Sequence, residues 1–576
     1  MESRDKSKDS AQSGPRDQSS APNSPTTRGR KRDRNNLTTT NMASNFRKQI
    51  EESKKIDNGP PAQYQLQLKR VNLDKESNEE SKLRRFTLGK YDPRHLNKTI
   101  LLVGETGSGK STLINALVNF VMGVEFEDKV WFEIISDEKD RPQSESQTSA
   151  VSVYDIYGFE GKTVPYSLTI IDTPGYGDTR GLEHDDMVTK KLKDLFCIPE
   201  GVDTVNAVGL VMKASVNRLD ERMAYIFNSV TSMFSKDMEQ NIVVMMTHSG
   251  GGKPKDALRA LEDAKILCAR DSKNERVYFK FNNRQKDKIE DDSDDEEEDA
   301  KHAFTTSNKG MEKFTKFLET TKPQSLKSTM KVIKERNRLT ACIQNLKERV
   351  TETEMKQKAI RKNREELSRL QKENKHFKVN IEETYKVKEE IDAWWDNKAV
   401  TCNNCEENCH YPGCTWAWSP SWCEVMKDEK CTSCSGKCPA DDHVKENWKY
   451  VTKTRRVERT KEEMKAKFEK NKAASEKKTS LLQHLETEMS ELEQKKKELL
   501  NEAFNIIVQL EGIALNEDAV TTFIHLEFLI EKMKETRDKE KVQILEKMRD
   551  RMDEKNKSGA NYFAKFKSFA RSKLGF

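Results

Sequence analysis

The sequence predicts an α/β domain, in which a mostly parallel six-stranded sheet carries helices on both faces, followed by a long α-helical hairpin with a small Cys/His-rich module at its tip. Three observations predict this architecture. Between residues 85 and 322, short β-branched runs alternate with helix-like stretches. Residues 324–383 and 460–510 are rich in Lys and Glu, with apolar residues at helical spacing. Eight of the 11 cysteines lie between Cys402 and Cys438.

The α/β domain is predicted from the length and order of its apolar runs. Runs at 99–103, 168–171, 205–211 and 242–246 are β-branched and short, as strands buried on both faces of a sheet are. Helix-like stretches separate them, which is typical of βαβ units. The pattern therefore predicts one parallel sheet across residues 85–322.

The composition limits what the rest of the chain can be. Apolar residues make up 34% and charged residues 35% of the 576 residues, against about 45–50% and about 25% in ordinary globular proteins. Part of the chain is therefore either disordered or long solvated helix. The net charge of only +6 argues against a dedicated nucleic-acid binder. The sequence shows neither an apolar run long enough for a membrane span nor a signal-peptide core, so we expect a cytoplasmic protein.

Two segments are predicted to lack regular structure. Residues 1–80 are polar, with few large apolar side chains to offset the entropy of ordering. The run 291–299 consists of acidic residues and one Ser, and like charges repel each other. We expect residues 287–299 to form an unfolded acidic loop before the last helix of the domain.

Two helical arms of similar length, residues 324–383 and 460–510, flank the Cys-rich segment. Equal arms around a compact insert predict an antiparallel coiled-coil hairpin. Thr460 followed three residues later by Glu463 is a capping box that would start the returning arm. The insert, residues 384–459, is strand-like at both ends, which predicts a short β ribbon between the arms and the tip.

Residues 511–576 are predicted to form further amphipathic helices that end in a basic aromatic tail. In this tail Phe563, Phe566 and Phe569 are three residues apart, so on a helix they could make a weak contact with anionic lipid. Packing of the tail on the protein itself is the alternative.

One segment carries a motif with a specific chemistry. A β-branched run leads into a match to GxxxxGK[ST], and a helix-like stretch follows; the motif consists of Gly104, Glu105, Thr106, Gly107, Ser108, Gly109, Lys110, Ser111 and Thr112. Glycines let backbone amides turn inward around phosphate oxygens, and the next helix adds its positive dipole end. The motif predicts a nucleotide phosphate site in which Lys110 contacts the β- and γ-phosphates and Ser111 binds Mg²⁺.

A second motif, Asp-Thr-Pro-Gly at residues 172–175, closes a predicted strand. Asp172 would hold Mg²⁺ through water, and the backbone N–H of Gly175 would contact the γ-phosphate. Between the two motifs, Thr148 is predicted to complete the Mg²⁺ coordination, with Ser144 as the alternative. The D-x-P-G pattern is similar to that of signalling GTPases rather than to that of ATP-driven motors.

These motifs and their order resemble the P-loop G domain shared by the immunity-associated nucleotide-binding GTPases, the plastid import-receptor GTPases and the septins, over residues 100–318. The resemblance implies binding of GTP and GDP with Mg²⁺, and contacts of Thr247, His248 and Asn283 with guanine. It also implies a homodimer whose G domains pair across the nucleotide, and we expect the coiled coil to contribute to the same homodimer. Gly250 stands where a guanine-selecting carboxylate would be expected.

Hydrolysis is expected to be slow. Small GTPases position water with a Gln just after the D-x-x-G motif, whereas this chain has Tyr176 and Gly177 there. An arginine from a second subunit would stabilise the charge on the phosphoryl oxygens, and Arg180 and Arg218 are the candidates. The residues expected to carry the reaction are Lys110, Thr148, Asp172 and Gly175.

The Cys-rich segment has two C-x2-C-x3-C halves, each with a nearby His. Thiolate and imidazole at this spacing suit tetrahedral Zn²⁺, and two ions are predicted, with candidate ligands Cys402, Cys405, Cys409, His410, Cys414, Cys423, Cys431, Cys434, Cys438 and His443. The second half suggests one site of Cys431, Cys434, Cys438 and His443. The first half suggests Cys402, Cys405 and Cys414 with either Cys409 or His410. Ligands that cross between the halves, disulfides and an iron–sulfur cluster are the alternatives.

Two functions from different classes follow. In the first, nucleotide binding by the G domain controls which protein partner the helical hairpin engages, and the zinc module is a structural clip or a protein-recognition tip. In the second, the chain is an interaction scaffold that holds a structural nucleotide without turnover. A zinc-dependent nucleic-acid binder is a third reading, but acids such as Glu406, Glu407, Asp441 and Asp442 flank the cysteines and suit phosphate poorly. We therefore expect no specific nucleic acid.

Overall fold

The computed structural model describes residues 46–73, 83–135, 151–175, 201–287, 294–372, 378–391, 398–412, 419–460, 481–513 and 520–556, with positions 188, 191–196, 198, 463, 564 and 568. The chain divides into a unit of residues 1–47 and a unit of residues 48–576. A short helix, α1 (Arg47–Glu51), begins at the last residue of the first unit. The features below belong to the second unit.

Up to residue 325, the described elements of the second unit are β1 (Lys54–Asp57), β2 (Ala62–Gln65), β3 (Lys69–Asn72), β4 (Arg84–Leu88), β5 (Asn97–Gly104), α2 (Lys110–Met122), β6 (Val130–Glu133), β7 (Ser152–Ile156), β8 (Ser167–Asp172), β9 (Thr204–Val205), β10 (Ala207–Lys213), α3 (Glu221–Thr231), β11 (Ile242–Thr247), α4 (Lys255–Asp263), β12 (Tyr278–Lys280), α5 (Asp294–Thr320) and β13 (Gln324–Ser325). From residue 326 they are α6 (Leu326–Lys372), β14 (Lys378–Glu390), β15 (Ala399–Cys402), β16 (Glu407–His410), β17 (Met426–Lys427), β18 (Lys430–Cys431), β19 (His443–Glu446), β20 (Trp448–Thr460), α7 (Leu481–Ile513), α8 (Val520–Glu535) and α9 (Lys539–Asn556).

An eight-stranded sheet forms the centre of the first part, in the order β12-β11-β10-β5-β8-β7-β4-β3. β12, β11, β10, β5 and β8 are parallel to one another, whereas β7 is antiparallel to β8. The prediction of a mostly parallel α/β sheet is confirmed in type, but its six strands are corrected to eight. The last two strands on one side of the sheet, β4 and the edge strand β3, are rich in Lys and Arg and lack the apolar runs by which buried strands are recognised.

Helices cover both faces of this sheet. On one face, Leu101 of β5 belongs to the same apolar core as Phe227 of α3 and Leu261 of α4. On the other face, the ring of Phe279 in β12 lies 5.2 Å from that of Phe314 in α5. Successive residues of a strand point to opposite faces, so the alternating apolar residues of the sheet fill two separate cores.

The prediction of disorder for residues 1–80 is wrong for residues 54–72, where the structure has three strands; residues 1–45 and 74–82 lie outside the described residues. β2 pairs in parallel with β6. Two asparagines on one face of α2 hold β6 in place: Asn119 accepts from the N–H of Phe132 (2.9 Å), and Asn115 accepts from the N–H of Ile134 (3.0 Å). The segment is thus stabilised in part by a strand far along the chain, and its own composition does not predict that pairing.

The acidic run is also corrected. Residues 288–293 lie outside the described residues, but α5 begins at Asp294 and includes the last six of the nine residues of the run. Acidic side chains in the first turn of a helix interact favourably with its dipole. Glu297 also pairs with Lys129 at 2.9 Å. These interactions offset the repulsion between the acidic side chains, and the residues from Asp294 onward are helical.

A single helix of 47 residues, α6, connects the α/β domain to the remaining helices; at 1.5 Å per residue it is about 70 Å long. Near its start, Leu326 and Ile333 belong to the core of the α/β domain. Six residues after Ile333, Leu339 begins a second apolar core, to which Ile343 also belongs and which is formed with α7, α8 and α9. The helix therefore crosses from one core into the other.

Helices α6 and α7 lie side by side and run in opposite directions. Arg364 pairs with Glu486 at 2.7 Å, and Glu354 pairs with Lys496 at 2.7 Å. Residue numbers fall along one helix as they rise along the other, as the hairpin prediction requires. That the pair is a coiled coil stays a prediction.

The Cys-rich module does not lie at the tip of the hairpin, and this prediction is wrong. β14 and β20 form an antiparallel ribbon of 13 residue pairs that folds back along α6. Glu382 accepts from Lys362 at 2.7 Å, and Lys386 pairs with Glu352 at 3.2 Å. The ribbon thus returns the chain to the middle of α6, where the Sγ of Cys342 lies 3.6 Å from the carbonyl oxygen of Thr432.

The capping box predicted at the end of the ribbon is confirmed. The N–H of Thr460 donates to Glu463 Oε2 (2.9 Å), and the N–H of Glu463 donates to Thr460 Oγ1 (3.2 Å). The aromatic tail residues Phe563, Phe566 and Phe569 lie outside the described residues. No described helix is both long enough and apolar enough to cross a bilayer.

Candidate functional site

The phosphate loop lies between the carboxyl end of β5 and the amino end of α2, as the motif predicts. Gly109 caps the helix with φ 85°, in the left-handed region that favours glycine. A Cβ there would lie 3.3 Å from His248 and 3.4 Å from Thr247. The loop is therefore wrapped tightly against the turn that follows β11, and its amides are at the N-terminus of a 13-residue helix.

Lys110 and Asp172 form a buried ion pair. The Nζ of Lys110 contacts Asp172 Oδ1, and the side-chain exposures are 6% and 0%. β5 and β8 are parallel neighbours, so their carboxyl ends bring the first motif and the second motif together. The phosphate-contacting cation and the Mg²⁺-linked carboxylate, predicted separately, thus lie in one place.

Two hydroxyls of the loop are buried and make no hydrogen bond to the described residues, namely Thr106 Oγ1 and Ser108 Oγ. Buried polar atoms are normally hydrogen-bonded, so such a pair points to a polar ligand. The backbone of Gly175 lies directly against Thr106: a Cβ at Gly175 would be 2.9 Å from the Thr106 Cα and closer still to its hydroxyl. Only glycine fits this approach between the two motifs.

The predicted base contacts lie in two adjacent turns. Thr247 Oγ1 donates to the carbonyl of Ser108 at 2.6 Å, and His248, with φ 52°, places its Nδ1 3.2 Å from Thr247 Oγ1. The N–H of Ser249 donates to the carbonyl of Phe281 (2.9 Å) and joins this turn to the one that carries Asn283. Burial, with a contribution from the Lys213 charge, lowers the pKa of His248. The imidazole is therefore neutral at pH 7.

Asn283 is oriented by a residue that the sequence did not single out. Its Oδ1 accepts from the hydroxyl of Ser307 at 2.9 Å, and its buried Nδ2 makes no hydrogen bond to the described residues. A side chain at Gly250 would meet nothing within 4 Å. A donor amide is thus fixed beside the loop, while the expected position of the guanine-selecting carboxylate opens into space.

Sequence analysis also missed Arg222, whose Nη1 lies 3.6 Å from Glu105 Oε1 in the phosphate loop. No motif predicts this pairing, because α3 begins at Glu221, which is 116 residues after Glu105 in the sequence. Arg218 is exposed. Thr148, Ser144, Tyr176, Gly177 and Arg180 lie outside the described residues, and their roles stay predictions.

The Cys/His module brings its predicted ligands into groups that differ from the two halves of the sequence. In one group the ligand atoms of Cys402, Cys405, Cys434 and Cys438 lie within 4.8 Å of one another, and in a second those of Cys409, Cys431, Cys434 and His443 do. A third group consists of His410, Cys423 and Glu424. The pairing by halves is therefore wrong, and ligands cross between the halves. Cys414 lies outside the described residues.

The described cysteines are free thiols, so disulfides do not hold this part of the module together. Tetrahedral zinc with Zn–S bonds of about 2.3 Å places its sulfurs about 3.8 Å apart. The Sγ atoms of Cys405 and Cys438 are 3.5 Å apart. The donor set and its spacing fit zinc.

Buried polar side chains connect the module to α6. Asn345 donates to Glu407 Oε2 (3.2 Å) and to the carbonyl of Asn408 (3.1 Å). Asn408 in turn donates to Glu348 on α6 at 2.9 Å and to the carbonyl of Tyr450 in the ribbon at 2.8 Å. The N–H of the residue after Cys434 also donates to Glu407 at 3.0 Å. The cysteine loops are thus hydrogen-bonded to the connecting helix.

The sheet, the loop between β5 and α2 and the buried Lys110–Asp172 pair together define a P-loop nucleotide-binding domain. The sequence profile of the AIG1 family matches residues 98–297. Over this range, 200 of the 576 residues, the chain is similar to the AIG1 family, in agreement with the resemblance to the immunity-associated GTPases.

Solved structures match the chain at a low level of overall similarity. Toc33 from Arabidopsis thaliana, in complex with Mg²⁺ and GMPPNP, is 15% identical over 40% of this chain and 88% of that chain, with a TM-score of 0.26. Translation elongation factor SelB from Methanococcus maripaludis, in complex with the GTP analogue GPPNHP, is 12% identical over 40% of this chain and 35% of that chain, with a TM-score of 0.23. No curated protein sequence matches the chain.

Proposed function

We propose that the chain is a guanine-nucleotide-binding protein whose AIG1-family domain hydrolyses GTP slowly and acts as a nucleotide-dependent switch. The observation that carries this proposal is the buried contact of Lys110 with Asp172 at the carboxyl ends of neighbouring strands. The buried hydroxyls of Thr106 and Ser108 lie in the same loop. A nucleoside triphosphate with Mg²⁺ is the ligand that would use a cation, a carboxylate and several loop donors at once.

Each residue has a defined task in this proposal. Lys110 donates to the β- and γ-phosphate oxygens, and the loop amides bind the remaining oxygens. Ser111, Thr148 and Asp172 hold Mg²⁺, which neutralises charge on the phosphates when bound. The N–H of Gly175 donates to the γ-phosphate. Because Gly175 lies against Thr106, a change at the γ-phosphate would move the segment that follows the second motif.

Guanine selection is assigned to the turns after β11 and β12. The Nδ2 of Asn283, held by Ser307, would donate to the base, and the neutral ring of His248 would lie along its edge. Competition of labelled GTP by unlabelled GTP and ATP tests this assignment. GTP is expected to compete far better than ATP, and equal competition by ATP would contradict it.

Hydrolysis is proposed to depend on pairing of two G domains, in which an arginine from the partner subunit would contact the phosphoryl oxygens. Phosphate release per molecule should then rise with protein concentration. A rate that is independent of concentration but above background would contradict pairing. A rate near zero at every concentration, with nucleotide retained, would favour the scaffold alternative.

The Cys/His module is proposed to bind two zinc ions as a structural clip. The support is the two groups of thiols and imidazole, mostly buried, whose ligand atoms lie within 4.8 Å of one another. The apolar core of the module is small, so metal binding would supply folding energy. A reducing, cytoplasmic location would keep these thiols available for zinc. Metal analysis of the purified chain should give two or more zinc ions per molecule, and a zinc-free folded protein would refute the proposal.

We further propose that α6 transmits the nucleotide state to the helical region. α6 contributes Leu326 and Ile333 to one core and Leu339 to the next, and Arg336 donates to the carbonyl of Ser232 at 2.8 Å. Hydrogen exchange of residues 326–350 should differ between the GDP-bound and GTP-analogue-bound protein. Identical exchange in the two states would show that the helix does not report the nucleotide.

A further inference from the structure

The two four-membered ligand groups of the Cys/His module have one residue in common, Cys434. We propose that the module holds a binuclear zinc–thiolate cluster in which the Cys434 sulfur bridges the two ions. This inference rests on the proposed zinc binding and specifies how the ligands are shared. The cluster has seven protein ligands: Cys402, Cys405, Cys409, Cys431, Cys434, Cys438 and His443.

The number of ligands matches a bridge. A structural zinc ion takes about four ligands, so two separate ions need about eight. The two groups contain seven different side chains, and six of them supply one position each. Cys434 supplies the remaining two positions, one to each ion. A thiolate sulfur has lone pairs enough for both bonds, whereas the imidazole of His443 can fill only one position.

The position of Cys434 suits this role. Its side chain is completely buried, as are those of Cys402 and Cys409, and Cys431 is 1% exposed. The ligand atoms in each group lie within 4.8 Å of one another, and Cys434 meets that limit in both groups. One group draws on the C-x2-C of residues 402–405 and the other on that of residues 431–434. The Cys434 sulfur is therefore the ligand atom that the two groups have in common.

Backbone amides around the cluster point at its sulfurs. Cys402 Sγ accepts from the N–H of Cys405 (3.3 Å), and Cys431 Sγ accepts from those of Ser433 (3.3 Å) and Cys434 (3.4 Å). The N–H of Cys438 donates to the bridging sulfur itself, also at 3.3 Å.

These amides stabilise the negative charge that the cluster would carry. Six thiolates and one neutral imidazole on two divalent ions leave a net charge of −2, and the amide dipoles favour that charge. Lys386, reaching in from the ribbon, donates to the carbonyl of Glu406 at 2.7 Å and adds a cation at the edge of the cluster. The surroundings of the sulfurs are thus suited to an anionic cluster.

The third ligand group is separate and supplies a matched control. His410 Nδ1 lies 3.2 Å from Cys423 Sγ and 3.4 Å from Glu424 Oε2, and none of these residues belongs to the seven. Substitution of Cys423 should therefore leave the bridge intact. Both Cys423 and Cys434 are buried cysteines, so the two substitutions place a similar burden on folding.

The test is ¹¹³Cd NMR of the full-length chain after exchange of zinc for ¹¹³Cd. Two cluster signals are expected, each split by the other, because scalar coupling between the metals passes only through a shared sulfur. Cys434→Ser should abolish this splitting, and Cys423→Ser should preserve it. Any ion bound by the third group would give an additional unsplit signal.

The outcomes separate this inference from the zinc proposal on which it rests. Absence of bound metal refutes both. Metal signals without mutual splitting in the unsubstituted protein, or splitting that survives Cys434→Ser, overturn the bridge and leave zinc binding standing. If Cys434→Ser does not fold, the unsubstituted spectrum decides, together with a zinc–zinc distance in X-ray absorption of the zinc form, whose absence would count against the bridge.

Discussion

The phosphate loop and the Cys/His module both gather ligands around a small charged group, but they draw them from the chain in opposite ways. The loop takes its donors from consecutive residues, 104–112, and adds Asp172 from a neighbouring strand end. The module mixes residues from both halves of a segment that spans Cys402 to His443. A run of consecutive residues can direct several backbone N–H groups at one ligand, whereas the side-chain ligands of the module come from segments that the fold brings together.

The two sites also differ in what holds them. The loop lies between β5 and α2, where Ile100, Leu102 and Leu113 are almost completely buried. In the module, few apolar residues are buried besides the cysteines, chiefly Val400 and Val425. The loop should therefore keep its shape without a ligand, and the module should depend on metal. Four predictions test this contrast, beginning with the largest expected effect.

Removal of zinc by a strong chelator should unfold the module and leave the phosphate site intact. Structural zinc contributes about 10–16 kcal/mol of apparent binding free energy in small zinc-binding peptides, more than the small core here can replace. Hydrogen exchange should rise across residues 399–446, while the same sample still binds GTP. Protection should return when zinc is added back. Unchanged exchange after complete zinc removal would contradict the contrast.

Lys110→Ala should remove nucleotide binding without disturbing the module. Loss of one partner of a buried ion pair typically costs about 3–5 kcal/mol of stability. Loss of its charge-assisted hydrogen bonds to phosphate should weaken GTP binding by about 100-fold, or about 2.7 kcal/mol. Retention of labelled GTP and zinc content are the measurements.

The matched control for this variant is Lys309→Ala, which removes an exposed lysine from α5. It should leave both the GTP affinity and the zinc content unchanged. Undiminished uptake of GTP by Lys110→Ala would refute the phosphate site altogether.

Gly175→Ala should weaken binding of the triphosphate more than that of the diphosphate. The added Cβ would overlap Thr106, and relief of such overlap costs about 1–3 kcal/mol. The Gly175 amide would move away from the γ-phosphate, with a loss of about tenfold in affinity. Gly252→Ala is the control, because a Cβ there meets nothing within 4 Å. Equal losses for GTP and GDP would show that Gly175 does not sense the γ-phosphate.

The smallest expected effect is a pH dependence of stability that comes from His525 in α8, among the helices of the second apolar core. Burial, with the Lys347 charge, lowers the pKa of His525 in α8 from 6.5 to about 3. The folded protein keeps this ring neutral while the unfolded chain protonates it, so stability is complete above pH 6.5 and falls as the pH decreases towards 3. The loss should be about 1 kcal/mol between pH 6.5 and 5.5.

This prediction is measured as a difference between the unsubstituted protein and His525→Gln. Protonation of the zinc ligands affects both proteins equally and cancels. Denaturant unfolding at the two pH values should show the extra loss only where the histidine is present. Parallel pH profiles for the two proteins would mean that His525 is charged in the folded state.

The sequence by itself determined the features that depend on neighbours along the chain. The phosphate loop, the Asp172 motif, the capping box at Thr460 and the alternation of strands and helices were all predicted, because local backbone conformation and apolar periodicity are written in consecutive residues. The donor types of the module were predicted for the same reason, since the Cys and His spacing is local.

Only the tertiary structure decided the features that depend on where the chain returns. Among the strands at residues 54–72, β2 is paired with β6, which begins only at Val130, so its backbone partner is distant in the sequence. The acidic residues from Asp294 are helical because the helix dipole and Lys129 offset their charge. Cys434 belongs to two ligand groups, and the module lies beside Asn345, because the ribbon folds back along α6. Pairing between distant strands, and a cysteine that belongs to two ligand groups, both bring together residues that are far apart in the sequence. A pattern in consecutive residues therefore does not predict either feature.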